Sequence, residues 1–375
     1  MTPHILHLHS SFDLGGKEAR AVRLMNAFGD RARHTVVSGV PGATGARAAI
    51  GRQVRVSFPD DAPSLTGKPS VARYQALARY MRRFDLVLTY NWGAMDAVMA
   101  RRLFPAGLPP LIHHEDGFNA DEAKRLKTER NIFRRIALPA AHALVVPSQK
   151  LEAIARDTWK QPDYRVHRIA NGINTALYAG QPDPKTLPGF VRTKDEVVVG
   201  SVAGLRLVKN LPRLVRAVAD AGKTLRLVIV GEGLERSAIE AEAVRLGVTL
   251  SLPGFRHEPH RYIGLFDLYA ISSDSEQFPI SLVEAMAAGL AVAATDVGDI
   301  AAMVAGDNRR FVVPRSDERA LAHAIAELAG DPTLRAQLGA ANRAKAVAEY
   351  DEKVMIARYG GLYGGAIGRS GALTG

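Results

Sequence analysis

Two cations and two carboxylates are the residues best spaced for chemistry. Arg206 and Lys209 follow the apolar run 196–202 and stand just before a helical pattern. Cations beside a helix start suit a diphosphate, because their charge adds to the unpaired backbone N–H groups there. Glu276 and Glu284 lie in the segment 272–289, Ser-Ser-Asp-Ser-Glu-Gln-Phe-Pro-Ile-Ser-Leu-Val-Glu-Ala-Met-Ala-Ala-Gly. This segment leaves a strand, passes a loop and opens a helix near Pro279, with Ser281 and Glu284 at capping-box spacing. The two carboxylates suit different hydroxyls of an elongated, sugar-bearing ligand, although solvated glutamates eight residues apart are common. Val230 leads into Gly231-Glu232-Gly233, a strand ending in a Gly-x-Gly turn without the third glycine of a dinucleotide fingerprint.

In the first half, His113-His114-Glu115-Asp116-Gly117 follows a short apolar run. A histidine on a strand is more often a satisfied core residue than a catalyst. His113, His114 and Asp116 all stay open as the residue that faces a ligand, with His114 favoured. Residues 121–138 read as one helix, with Lys124, Lys127, Arg130, Arg134 and Arg135 around a partial stripe of Leu126, Ile132, Phe133 and Ile136. Such a helix is either a solvated surface helix or a contact for anionic lipid.

These residues need a frame, and the chain supplies one. Apolar runs of strand length alternate with helical patterns, at 4–9, 86–89, 111–113 and 143–146, then at 196–202, 225–230, 250–252, 267–271, 291–295 and 311–313. That rhythm predicts α/β architecture with parallel sheets flanked by helices. Three prolines within 180–189 interrupt it. The expected organisation is two doubly wound, Rossmann-like domains facing a central cleft. They span 1–180 and 196–350, with a linker at 181–195 and a tail, 351–375, returning to the first domain. The glycine-rich last dozen residues read as mobile.

Composition narrows the rest. The chain has 375 residues and no cysteine, which excludes disulfides, thiolate metal sites and a cysteine nucleophile. No apolar run reaches the ~18 residues of a membrane span, and the first residues lack a signal-peptide pattern. A cytoplasmic location, peripheral on the inner face of the membrane, is therefore expected. The net charge is +11, and the first 180 residues hold all of it, with 26 Lys+Arg against 15 Asp+Glu. An anionic partner for the first half follows as an expectation. Nucleic acid is not expected, because the basic region lacks interleaved aromatics.

In combination, Gly-Ser-x-x-Gly-Leu-x-x-x-Lys-Asn from Gly200, Val-Gly-Glu-Gly, Pro-Gly-Phe and Glu-x7-Glu running into Ala-Met-Ala-Ala-Gly resemble the retaining GT-B glycosyltransferases of family 4. The order holds over 196–330, with looser matches in the first half and in Tyr350-Asp351, Tyr359 and Tyr363. The resemblance implies that Arg206 and Lys209 hold the donor diphosphate, Glu284 the ribose and Glu276 the donated sugar. It implies that backbone N–H groups at Ile280, Ser281 and Leu282 meet the distal phosphate, that Gly15 and Gly16 approach it, and that Phe255 and Arg256 line the base pocket. Gly231 and Phe278 join this donor set, and His114 takes a positioning role beside the sugar. The proton goes to the leaving phosphate. No metal or other cofactor is implied as essential. One departure stands out: Gly298-Asp299-Ile300-Ala301-Ala302 replaces the family's Gly-Gly-x-x-Glu.

The function so implied is transfer of a hexose-type sugar from a nucleotide sugar to a lipid-linked or cell-surface glycan. A nucleotide-sugar 2-epimerase of the same architecture is the alternative, and a non-enzymatic basic anion-binding protein is a third class.

Overall fold

The structure is a computed structural model that describes residues 2–13, 15–118, 122, 126–194, 196–222 and 224–374. The chain forms two compact units. Unit 1 holds Met1–Asn171 and Met355–Gly375, and unit 2 holds Gly172–Val354. The proline-bearing stretch 180–189 lies in unit 2, where Leu187 is buried.

Unit 1 carries strands β1 (His4–His9), β2 (Arg33–Ser38), β3 (Arg55–Ser57), β4 (Leu86–Tyr90), β5 (Leu111–His114), β6 (Ala143–Val146) and β7 (Val166–Arg168). They form a parallel sheet in the order β3-β2-β1-β4-β5-β6-β7. Helices α1 (Gly16–Phe28), α2 (Val71–Met81), α3 (Met95–Leu103), α4 (Thr128–Ala137) and α5 (Gln149–Ala153) connect them. A central parallel strand is buried on both faces and reads as a continuous apolar run. β1 departs from that rule by alternating Ile5, Leu6 and Leu8 with buried His7 and His9. β2, β3 and β7 carry no such run. Polar β2 is drawn inside because His34 shares a hydrogen bond of 3.0 Å with His7, while β3 and β7 are three-residue edges.

Unit 2 carries β8 (Val197–Val202), α6 (Leu211–Ala221), β9 (Leu225–Val230), α7 (Arg236–Leu246), β10 (Thr249–Ser251) and β11 (Leu268–Ile271). It continues with α8 (Ile280–Ala287), β12 (Ala291–Thr295), α9 (Ile300–Met303), β13 (Val312–Val313), α10 (Glu318–Gly330), α11 (Pro332–Tyr350) and the start of α12 (Glu352–Ala366). Its parallel sheet runs β10-β9-β8-β11-β12-β13.

α12 carries the chain back into the core of unit 1. Met355, Tyr359, Tyr363 and Leu373 pack there with Ile5, Phe28, Leu88 and Ile112. Within the glycine-rich tail, expected to be mobile, Leu373 is fully buried in the core of unit 1 while residues 368–371 and 374 are exposed. Among the described residues no helix is long and apolar enough to cross a membrane.

Candidate active site

Each sheet reverses its strand order beside its first strand: β1 lies between β2 and β4, and β8 between β9 and β11. Ligands bind outside the carboxyl ends of strands at such switch points. In unit 2 the loops that leave β8 and β11 carry Lys209 and Glu276, and the two side chains form an ion pair. Ser273 Oγ donates to the same Glu276 oxygen at 2.7 Å. The pair is only 15% and 11% exposed, so water screens it weakly. Ser201, Tyr269, Ser272 and Ser281 line the pocket with it.

The two loops are fastened together. Ser272 Oγ donates to the Lys209 and Asn210 carbonyls at 3.0 Å. Asp274 pairs with Arg213 at 2.8 Å and accepts from Asn210 Nδ2 at 3.2 Å. From the end of β12, Thr295 Oγ1 donates to the Ser273 carbonyl at 2.7 Å. Gly298, at φ 62°, lies so close to the Glu276 carbonyl that a Cβ would overlap it. Sequence reasoning missed Ser273, Thr295 and Gly298 as supports of Glu276. Gly298 had a signal, since it begins the loop where the family pattern breaks.

α8 opens beside this pair. Leu282 N–H is donated to Pro279 O at 3.1 Å, so it is not free for a phosphate as expected. Ile280 and Ser281 N–H have no backbone acceptor among the described residues. The Ser281 hydroxyl meets that of Tyr269, which is anchored on the Val202 backbone at 3.2 Å. Glu284, further along α8, lies near the buried Tyr262 hydroxyl, which has no hydrogen-bond partner among the described residues. Burial, then the Glu284 charge, raises the Tyr262 pKa, and Arg256 opposes them. These three residues therefore share one neighbourhood.

Gly231 closes the floor of the Arg206 loop. Its φ is 153°, and a Cβ would overlap the Ala203 carbonyl oxygen, so only glycine fits. Leu205 N–H reaches Glu232 O at 2.8 Å and ties the turn to that loop. Arg206 is exposed and makes no ion pair among the described residues. Phe255 is 57% exposed with its ring edge against His257, and Phe278 packs on Tyr350.

In unit 1, Gly15 precedes α1 in an extended conformation, followed by Gly16. Lys17 pairs with Glu18, and burial pulls its pKa down to about 8. Arg20 grips both Asp116 oxygens and donates to Asn171 Oδ1 at 2.9 Å. His114 is buried, with Nδ1–H donated to Thr89 O at 3.1 Å and Nε2 accepting from Tyr363 at 2.8 Å. Burial first, then Arg20, holds its pKa well below 6.5. A neutral ring with both nitrogens engaged offers none to a substrate, in contrast to the position expected for it beside a sugar. His113 is equally buried, on Thr89 Oγ1 at 2.8 Å. Asp116 is the part of this cluster that reaches solvent, at 13% exposure.

The basic segment is also corrected. Its helix runs Thr128–Ala137, and Lys124 lies outside the described residues. Arg134 points inward, fully buried, to Glu115. Arg130 pairs with Glu122 at 2.7 Å over the Trp92 ring, and Lys127 N–H reaches Glu122 at 3.1 Å. The exposed face holds Arg135, Ile132 and Ile136. Aromatic neighbours draw Arg130 and Arg134 onto the packed side of the helix.

With this geometry in place, the likenesses to known proteins become informative. Residues 185–345 match the family described as Glycosyl transferases group 1, and residues 14–177 match Glycosyltransferase Family 4. An N-acetylgalactosamine-N,N'-diacetylbacillosaminyl-diphospho-undecaprenol 4-alpha-N-acetylgalactosaminyltransferase of Campylobacter jejuni is 31% identical over 171 residues, 45% of this chain and 46% of that one. The lipopolysaccharide core biosynthesis glycosyltransferase LpsD of Rhizobium meliloti is 23% identical over 96% of this chain and 97% of its own. The chain spans about half the length of the first curated relatives it matches. Among solved structures, Anabaena Alr3699/HepE in complex with UDP superposes with a TM-score of 0.76 at 20% identity, over 95% of this chain and 98% of that one. With one family matched on each half and two parallel-sheet units beneath them, the chain belongs to the GT-B glycosyltransferases of group 1.

Proposed function

We propose that this protein moves a hexose-type sugar from a nucleoside diphosphate sugar to a hydroxyl of a lipid-linked or polysaccharide acceptor, with retention at the anomeric carbon. The observation that carries the reading is the shielded pair of Lys209 and Glu276 at the switch point of unit 2, beside the start of α8. The Campylobacter relative's diphospho-undecaprenol acceptor and the UDP held by HepE support it.

Each residue then has a task. Arg206 and Lys209 take the diphosphate charge as it builds on the leaving group. Ile280 and Ser281 N–H meet the distal phosphate, Glu284 the ribose, and Glu276 the sugar hydroxyls. Gly231 keeps the Arg206 loop in place, and Phe255 and Arg256 border the base. Gly15 and Gly16 offer backbone donors to an anionic group at unit 1. The acceptor oxygen bonds to the anomeric carbon as the carbon–diphosphate bond breaks. The diphosphate leaves with that electron pair and takes the hydroxyl proton. No metal is essential in this scheme, because arginine and lysine already face the carboxylates of the Asp274-Ser275-Glu276 triplet.

The test is nucleotide release from UDP-, GDP- and ADP-sugars with lipid and glycan acceptors. Lys209→Ala and Glu276→Ala should each lower turnover by about 100-fold or more. Wild-type turnover in both variants would refute the assignment.

A further inference from the structure

Two consecutive carboxylates leave β5, and each meets an arginine buried inside unit 1. Glu115 is fully buried and accepts from Arg134 Nε at 3.1 Å. Asp116 accepts from both terminal nitrogens of Arg20, Nη2 at 2.8 Å. Arg20 comes from α1 and Arg134 from α4, so two helices hold the turn at 115–117. Asp116 N–H is fixed as well, on Asn91 Oδ1 at 2.7 Å.

Arg134 is an unusual core residue. Its guanidinium lies 4.8 Å from the Trp159 ring, 5.1 Å from Trp92 and 5.5 Å from Phe118. Among the described residues Nη1 and Nη2 have no hydrogen-bond partner, although Nη1 lies 3.6 Å from Glu122. A buried ion pair seldom stabilises a fold more than an apolar residue of the same volume would. Stability alone does not explain Arg134. A fixed direction for Glu115, and through the shared backbone for Asp116, does.

We propose that Asp116 meets the acceptor hydroxyl, and that Arg134 is a positioning residue acting on Asp116 through Glu115. This rests on the sugar-transfer reading above. Asp116 accepts a hydrogen bond from the hydroxyl and so fixes the direction of its oxygen. The proton still ends on the departing diphosphate, so Asp116 finishes unchanged. Arg20 keeps the carboxylate oriented by gripping both of its oxygens.

The experiment uses the full chain. UDP, GDP and ADP binding is titrated, and transfer from the matching nucleotide-glucose is measured to octyl glycosides and to water. Asp116→Asn should lower kcat/KM for transfer by about 100-fold and leave the nucleotide Kd within about twofold, since the side chains assigned to the base, ribose and diphosphate are in unit 2. Arg134→Gln should lower kcat about tenfold at unchanged KM, with Arg134→Lys restoring part of it. The double variant with Asp116→Asn should be no slower than Asp116→Asn alone. The chain's two tryptophans, Trp92 and Trp159, both sit on Arg134, so octyl glycoside should shift their fluorescence in the wild type and not in Glu115→Gln. Wild-type transfer by Asp116→Asn overturns the proposal, as do additive losses in the double variant. So do Arg134 variants that lose thermal stability while keeping kcat. Failure of the wild type to bind any of the three nucleotides would instead overturn the sugar-transfer reading.

Discussion

The Tyr363 hydroxyl donates to His114 Nε2 at 2.8 Å, joining residues 249 positions apart in the chain. The Thr89 carbonyl, which can only accept, fixes His114 as the Nδ1–H tautomer, and the Tyr363 bond ties the returning helix to β5, one step before the 115–117 turn. Tyr363→Phe leaves a buried acceptor unpaired, which costs about 1–3 kcal/mol. Tyr363→Ala adds a cavity and should cost about 3–5 kcal/mol. Urea unfolding followed at the two tryptophans, both in unit 1, checks this ordering; equal midpoints for the wild type and Tyr363→Ala would contradict it.

Unit 1 should be acid-labile. His7, His9, His34 and His114 are buried, and burial is the first cause holding each below 6.5. For His34 the folded value falls to about 4. A folded pKa below the unfolded one means that the unfolded chain binds more protons between the two values. Stability is therefore complete above pH 6.5 and falls as pH drops toward 4, by about 1.4 kcal/mol per pH unit for each such histidine. The urea midpoint should decrease from pH 7 to pH 5, and less steeply in His34→Gln. A flat profile would count against the buried neutral cluster.

The strands that carry the site were legible because they are apolar and followed by glycine or proline: β8 and its loop to Lys209, β11 and its loop to Glu276, β5 and its exit. What escaped had its signal reversed by tertiary structure. β2 looks too polar to be interior until His34 meets His7. α4 looks like a cationic surface until Arg134 is found among aromatic rings, with Ile132 and Ile136 outside. Periodicity finds a stripe, but it does not say which side of the stripe is buried when the charged side has internal partners. Glu276 stood out through the resemblance, since two glutamates eight residues apart mean little by themselves. Its supports, Ser273, Thr295 and Gly298, come from two strands, and no local pattern links them.

That inversion relocates any membrane contact to Ile132, Arg135 and Ile136. Burying an exposed isoleucine gains about 1.5–3 kcal/mol, and a cation near an anionic surface about 1 kcal/mol. Ile132→Ser with Ile136→Ser should weaken binding to vesicles of phosphatidylglycerol and phosphatidylcholine by about tenfold or more, and Arg135→Gln by about fivefold, each at unchanged thermal stability. Arg134→Gln should instead lower stability. Unchanged sedimentation of the double isoleucine variant with vesicles would remove this face from consideration.

Gly231 offers a test of how the donor loop is supported. Alanine there suffers twice: the φ of 153° disfavours any side chain, and the new methyl overlaps the Ala203 carbonyl. Gly222, at φ 149° with open space around it, suffers only the first effect. Gly222→Ala should therefore cost about 1–2 kcal/mol from backbone strain. Gly231→Ala must in addition push away the 203–205 backbone, which leads directly into Arg206. Differential scanning calorimetry should place Gly231→Ala below Gly222→Ala, and whichever of UDP, GDP and ADP stabilises the wild type should raise the midpoint less in the Gly231 variant, because weaker binding stabilises less by mass action. Equal midpoints and equal nucleotide shifts would show that the close approach of Gly231 to Ala203 contributes nothing to donor binding.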